Sequence, residues 1–223
     1  MKSGIILTAT FLAIILIQSC IPSLHPLYTK ERIIYLTALE GVWTDRPTNV
    51  DVAAPKKTED KIAAGKDNGP GQTAIWDFRK NKDGGYILIH QDNKGRKAAF
   101  EVYLVKLGNN YFMDFFLTDL PEKDYNEPLD LLDFDQNELA SFHVVPVHTF
   151  AKLMVVNDKI KIKMFDPDFL EKLFKQRQIR IKHEQLDNGG IVLTAQPEEL
   201  QKFVEKYADH KEAFIDDEIV LTK

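Results

Sequence analysis

Reactive side chains are scarce in this sequence, and their scarcity excludes several classes of protein. The 223 residues contain one cysteine, Cys20, so no disulfide can form within the chain. None of the four serines lies in a Gly-x-Ser-x-Gly nucleophile turn. Glycine motifs that bind phosphates or dinucleotides are also absent. The inventory argues against serine or cysteine hydrolase chemistry, and it predicts no cofactor.

An excess of positive charge is missing as well. The chain has 29 Lys and Arg against 34 Asp and Glu, which gives a net charge of −5. Nucleic-acid binding normally requires a basic face, so no nucleic-acid partner is expected. Hydrophobic residues make up 44% and charged residues 28% of the chain, as in globular proteins. This length and composition predict one domain with a core of its own.

No apolar run is long enough for a membrane-spanning helix. The uncharged stretch from Gly4 to Ile17 follows Lys2 and is shorter than the roughly 20 residues that span a bilayer. It fits the hydrophobic region of a signal peptide. An uncleaved signal anchor, or a cleaved signal followed by an incidental cysteine, would explain the same run.

The end of this run, Ile17-Gln18-Ser19-Cys20, resembles the signal of bacterial lipoproteins. The resemblance implies that residues 1–19 are removed and that Cys20 carries acyl chains such as palmitate. Two or more chains anchor a protein stably to a membrane. Ile21, rather than aspartate, follows the cysteine, which favours the outer membrane facing the periplasm in a Gram-negative cell. The expected location is therefore the cell envelope.

The rest of the chain divides by composition. Residues 20–39 are expected to form a lipidated tether and an entry segment, and residues 40–223 a single β-rich domain. Within that domain, residues 47–72 contain no aromatic residue and predict a flexible loop, with a mobile lid over a pocket as the alternative.

Alternating apolar and polar runs dominate from Thr73 onwards. Runs at 73–80, 86–91, 98–107 and 111–117 are separated by Asp-, Asn- and Gly-rich turns, which is typical of an antiparallel meander. Two amphipathic helices are predicted at 166–176 and 196–208. The sequence thus predicts a mainly β fold with α additions: ten strands in a barrel or sandwich, and two C-terminal helices.

Gly41-x-Trp43, at the start of the first long strand, resembles the signature of the lipocalin-like (calycin) barrels. The resemblance implies that the tryptophan closes the bottom of a barrel and packs under a late basic residue. The chain also resembles an uncharacterised group of bacterial lipoproteins, through residues 24–29, the Gly41-x-Trp43 element and residues 143–150. No function is implied by that second resemblance.

Histidine and acidic residues offer few candidate sites. His143 and His148 would need a third ligand, such as His90, Asp114 or Glu101, to hold zinc. The spacing contains no compact ligand set, so structural histidines are favoured and no metal is predicted. Residues 130–138 are acidic but lack the spacing of a calcium-binding loop, and a solvated loop is expected.

Aromatic residues on the meander are the remaining candidates. Tyr111 and Phe115 lie on one face of their strand and Phe112 and Phe116 on the other, so each face is covered or one lines a cavity. Core packing is favoured over a cavity. The candidate ligand-binding residues are Trp76, Tyr111, Phe115, His143 and His148.

The sequence therefore leaves three hypotheses. The first is a membrane-anchored envelope protein whose β-rich domain is a binding or assembly module and not an enzyme, with an envelope protein as a partner. The second is binding or transport of a hydrophobic small molecule in a lipocalin-like cavity. The third is a metal-assisted envelope enzyme that uses His, Asp and Glu. A filled interior would favour the first, and an open apolar cavity the second.

Overall fold

Eight antiparallel strands close into a barrel in the computed structural model, which describes residues 21–45, 73–93, 95–118, 146–156, 158–187 and 190–223. The described strands are β1 (Ile33–Ile34), β2 (Gly41–Asp45), β3 (Ala74–Lys80), β4 (Tyr86–Gln91), β5 (Lys97–Leu107), β6 (Asn110–Thr118), β7 (His148–Val156), β8 (Lys159–Met164), β9 (His183–Gln185), β10 (Ile191–Leu193) and β11 (Ile219–Thr222). The described ranges also contain two α-helices, α1 (Pro167–Lys175) and α2 (Pro197–Tyr207). The predicted mainly β barrel with two helices is confirmed, and it is consistent with a lipocalin-like barrel.

The barrel is an up-and-down meander that the last strand completes. Strands β2 to β8 pair in chain order, and β11 pairs with β8 on one side and β2 on the other. The long strand β5 pairs with β6 along one edge, and with β4 and then β1 along the other. We call the end where β2 begins, at Gly41, the lower end, and the end where β2 finishes, at Asp45, the upper end.

Strand alternation fills the barrel interior with large apolar side chains. Residues paired across antiparallel strands point to the same face, so Trp43, Trp76 and His90 share the interior, as do Phe78 and Leu88. The interior cluster of buried residues comprises Leu39, Trp43, Phe78, Tyr86, Leu88, Val102, Leu104, Met113, Phe115, Ala151, Leu153, Ile160, Ile162 and Leu221. At the lower end and in the middle of the barrel the described interior is a packed core.

A second core covers the outside of one wall. The outward residues Val105, Leu107, Phe112 and Phe150 of β5, β6 and β7 are buried under the two helices. Each helix begins with proline at its first position, where the missing amide costs nothing, and Asp166 caps α1 by accepting from Asp168 N. Both faces of β6 are therefore covered, as its apolar pattern requires.

The N-terminal segment differs from the predicted tether. Ile21, Ser23 and Leu27 are buried, so the described part of residues 20–39 packs onto the barrel. Ser23 exchanges two backbone hydrogen bonds with His148 of β7, and the neighbouring backbone exchanges two more with Leu193 of β10. This segment thus acts as a strand between the barrel and the β9–β10 hairpin.

Other predictions need smaller adjustments. Strand β1 is additional to the ten predicted strands. The predicted loop at 47–72, the acidic segment 130–138, His143 and Cys20 lie outside the described residues. None of the helices in the described ranges is long and apolar enough to cross a membrane.

Candidate functional site

The structure separates the sequence-predicted binding residues. Trp76 and Phe115 face the barrel interior towards the upper end, whereas Tyr111 faces it at the lower end, beside Leu153. His148 lies on the outside of the wall, because it starts β7 opposite Phe116, whose side chain also points outward. These residues therefore do not form one site.

At the upper end the interior becomes polar. The rings of Trp76 and His90 meet edge to face with centroids 4.7 Å apart. Burial lowers the pKa of His90, and burial raises the pKa of the nearby Asp45 carboxyl. Trp76 Nε1 is buried and has no acceptor in the structure as described. An unsatisfied buried donor of this kind can bind an acceptor supplied from outside.

Trp43 lies deep in the interior of the barrel. Its Nε1 donates to Leu39 O at 2.9 Å, and Lys223 Nζ lies 4.6 Å from the ring centroid. Gly41, two residues earlier, has φ +108°, a conformation that residues with a Cβ rarely adopt. A late basic residue over the tryptophan is what the calycin resemblance implies; membership of that family stays a prediction.

Asp114 and His148 form a buried pair on the outer face of the wall. His148 Nδ1 lies 2.7 Å from Asp114 Oδ1, and Leu27 N donates to Asp114 Oδ2 at 2.6 Å. Burial raises the pKa of Asp114, while the hydrogen bond and the charge of His148 act in the opposite direction. The carbonyl of Leu27 accepts from Gln201 Nε2 at 2.9 Å, so the pair serves to fasten the N-terminal segment.

The predicted alternatives for metal binding are not assembled. Asp114 meets His148, but Glu101 lies on β5 opposite Phe116 of β6, and His90 points into the barrel. Across the described ranges, no three His, Cys, Asp or Glu side chains are grouped as a metal site would require. Ser23, the one described serine, donates its hydroxyl to His25 O and is not directed at a histidine ring.

A surface cleft of about 530 Å³ at the lower end was not anticipated from the sequence. It lies between the N-terminal segment, the β3–β4 turn and β5. We call it the tyrosine cleft, and its lining residues are Tyr28, Lys30, Ile33, Tyr35, Asp83, Gly84 and Tyr103. Three tyrosines in one cleft supply flat apolar faces together with hydroxyl groups that can both donate and accept.

The walls of the tyrosine cleft are held by several specific contacts. The rings of Tyr28 and Tyr103 pack with centroids 4.2 Å apart, and Asn81 Nδ2 lies 3.4 Å from the Tyr103 hydroxyl. Asn81 Oδ1 also accepts from the amides of Asp83 and Gly85, which fixes the β3–β4 turn. A Cβ at Gly85 would lie 2.7 Å from the Tyr103 ring, so this close approach requires glycine.

The opposite wall is anchored by Tyr86 from the barrel interior. Its hydroxyl accepts from Leu36 N at 2.8 Å and donates to Leu36 O at 2.9 Å. Tyr35 stacks on the Tyr86 ring at 4.9 Å, and Lys80 Nζ lies 4.8 Å from the centroid of Tyr35. The cleft is therefore built from residues whose positions the barrel itself determines.

A smaller cleft of about 310 Å³ lies outside β7 and β8. Lys152, one of three lysines in its lining, already donates to Ala208 O at 2.7 Å and to Asp209 Oδ1 at 3.1 Å. With its central donor satisfied internally, this cleft is the weaker candidate.

Sequence reasoning missed the tyrosine cleft because its residues come from three distant segments without a shared motif. Tyr28 lies in the segment 24–29 and Tyr103 in the alternating run 98–107, but neither pattern predicts a cleft. No protein-family model, curated protein or solved structure matches the chain. The site must therefore be interpreted from its own geometry.

Proposed function

We propose that this chain is a membrane-anchored envelope lipoprotein whose barrel is a rigid scaffold for binding or assembly at its outer surface, and not an enzyme. The observation that carries the proposal is the filled interior. Phe78, Tyr86, Leu88 and Met113 are each at most 1% exposed within it, and both clefts described above lie outside the wall. A barrel of eight strands has just enough room for its own side chains.

The anchoring part of the proposal is supported by the sequence and is compatible with the fold. The signal-like run ends at Cys20, and Ile21, the next residue, is 3% exposed in the outer core. An acyl group on Cys20 would thus be joined to the folded domain almost without slack. Such an attachment suits a scaffold that presents one surface to a partner in the envelope.

Metabolic labelling tests the anchor. We expect radiolabelled palmitate to enter the full chain and to remain with the membrane fraction. Cys20→Ala should abolish labelling, because the thiol that accepts the diacylglycerol is gone. Gln18→Ala is the matched control: it keeps the cysteine and should label at least as well. Label that persists in Cys20→Ala would refute the anchor.

A fluorescent fatty acid tests the scaffold. If the interior is filled, dansyl-undecanoic acid should show no saturable binding to the purified chain. Saturable binding with one site per chain would contradict a scaffold without a cavity. This measurement does not depend on Cys20, so it tests the filled barrel independently of the lipid anchor.

Binding of a hydrophobic ligand at the upper end is the second candidate. The unsatisfied Trp76 Nε1, on a ring that meets His90 edge to face, favours it. A carboxylate or carbonyl on an otherwise apolar molecule would satisfy that donor. In this case the fatty-acid probe should bind, Trp76→Phe should weaken binding about tenfold, and Trp43→Phe should leave it unchanged.

A further inference from the structure

We propose that the tyrosine cleft is a binding site for an uncharged carbohydrate. The inference rests on the proposed function only in treating the chain as a binding module, and it names the site and the class of ligand. Its volume of about 530 Å³ falls within the roughly 300–1,000 Å³ of small-molecule sites. The cleft is thus large enough for one or two sugar units.

Aromatic faces and hydroxyl groups match the two sides of a sugar ring. A pyranose presents a face of C–H groups, which pack on the electron-rich face of an aromatic ring, and a rim of hydroxyls. Tyr28 and Tyr103 supply the faces, Tyr35 supplies the edge of a ring already covered by Tyr86 and Lys80, and Ile33 adds apolar surface. Burial raises the pKa of Tyr28 and Tyr103, so both phenols remain protonated and can donate as well as accept at neutral pH. The Tyr35 hydroxyl is itself buried, with no hydrogen-bond partner among the described residues.

Charged side chains of both signs surround the cleft. Lys30 and Asp83 are both lining residues, and Lys80 lies over the Tyr35 ring. The negative charge of Glu101 acts on Tyr28 and Tyr103, that of Asp114 acts on Tyr28, and that of Glu40 acts on Tyr35. Four carboxylates, Asp83, Glu101, Asp114 and Glu40, thus act on the cleft against the two lysines, and this excess of negative charge disfavours an anionic ligand. The same side chains provide donors and acceptors for hydroxyl groups, which favours a neutral polyol over an anion.

The cleft is also ready for binding without rearrangement. Its turn is fixed by Asn81, its floor by the Tyr28–Tyr103 contact, and its wall by the paired strands β1 and β5. Rigid walls reduce the conformational entropy lost when a ligand binds. This matters for sugars, because each hydroxyl exchanges bonds with water for bonds with protein at little net gain.

Saturation-transfer NMR on the full chain tests the inference. The neutral probes are maltotriose and triacetylchitotriose, and an oligosaccharide that contains three glucuronate units is the charged comparison. We expect at least one neutral probe to receive saturation from the tyrosine rings. The double variant Lys30→Ala/Asp83→Ala should weaken its affinity at least about tenfold. Both side chains are at the surface of the cleft, so folding should be preserved.

Matched controls exist at the adjacent positions. Glu31→Ala and Lys82→Ala remove exposed charges that do not line the cleft, and should leave affinity within about twofold. Tyr35→Phe keeps the aromatic face and removes one hydroxyl, and should cause a smaller loss than the double variant.

Three results would overturn the inference. One is the absence of saturation transfer to either neutral probe up to about 10 mM. Another is neutral-probe binding that the double variant leaves unchanged, which places the sugar elsewhere. The third is tighter binding of the charged oligosaccharide. None of them affects palmitate labelling at Cys20 or the fatty-acid measurement, so failure of the carbohydrate site is distinguishable from failure of the proposed function.

Discussion

Removal of the Tyr86 hydroxyl should destabilise the domain, because its two hydrogen bonds to Leu36 help to hold the entry segment at the lower end of the barrel. The Tyr86 side chain is fully buried, and its hydroxyl bonds both the amide and the carbonyl of Leu36. Tyr86→Phe keeps the ring, and with it the stacking on Tyr35. What the variant loses is therefore limited to two hydrogen bonds.

The expected loss in the free energy of unfolding is about 1–3 kcal/mol. A buried polar group left without a partner costs roughly that amount, and two backbone groups are affected here. The lower part of the range allows for water, since Leu36 is only half-buried and its backbone can be partly rehydrated. At an m value of roughly 2 kcal/mol per molar urea, the unfolding midpoint should fall by about 0.5–1.5 M.

The effect should also depend on pH in one direction. Burial raises the pKa of Tyr86 from 10.0 to about 12. Between these values the unfolded chain loses the phenolic proton while the folded chain keeps it, so stability falls as pH rises. The contribution of the hydroxyl is fully present below pH 10 and is lost as pH rises through about 12. The difference in the free energy of unfolding between wild type and Tyr86→Phe should therefore decrease as pH rises.

Urea unfolding followed by tryptophan fluorescence measures both effects, because Trp43 and Trp76 report from inside the barrel. Tyr111→Phe is the matched control, since the described part of the chain offers its hydroxyl no hydrogen bond. The other tyrosines with raised pKa values contribute equally to the free energy of unfolding of the variant and of the wild type, so their contributions cancel in the difference. A midpoint equal to that of the control at pH 7, or a gap that persists unchanged at pH 12, would refute this account of Tyr86.

Two further substitutions test contacts that the structure makes specific. Asp114→Ala leaves the amide of Leu27 and the ring of His148 without their carboxylate, and should lower the free energy of unfolding by about 2–5 kcal/mol. Hydrogen exchange at the Leu27 amide should accelerate. Unchanged protection of that amide would contradict the fastening role. Gly85→Ala places a Cβ 2.6 Å from Val102 O, and should cost about 1–3 kcal/mol in urea unfolding; a wild-type midpoint would show that the turn can relax.

Strand alternation is the part of this fold that the sequence predicts well. In β3, Trp76 and Phe78 alternate with Asp77 and Arg79, and the structure turns the two sets to opposite faces. The amphipathic helices are equally clear, since Phe169, Leu170 and Leu173 recur at helical spacing and are buried. Such patterns are local, so they need no knowledge of which strands meet.

Features that depend on backbone pairing leave no such pattern. Strand β1 has two residues, and Ile33 and Ile34 become a strand only because Val105 and Leu104 of β5 lie opposite them. The sequence predicts a tether around Ser23, whereas the structure pairs this segment with its neighbours. Its role comes from main-chain hydrogen bonds to β7 and β10. Such bonds require no particular side chains, so they leave no pattern in the sequence.

The sequence does not predict the candidate site for a related reason. Trp76 and Phe115 could be placed on apolar faces, but which end of the barrel they occupy follows from strand register. Tyr28 and Tyr103 are in contact only because the entry segment returns along the outside of β5. Asp114 was noted as one possible metal ligand among several, and its pairing with His148 follows from how β6 and β7 pair.

The fastening of Leu27 has a consequence for how the chain reaches its final state. Its amide bonds a residue 87 positions away and its carbonyl a residue 174 positions away. The segment that leaves the ribosome early therefore has no native partners until the distant parts of the chain have been made. Strand β11 imposes the same delay on barrel closure, since β2 and β8 are joined only through it. Contacts this distant in sequence form slowly. The barrel of this chain therefore cannot close before β11 has been made.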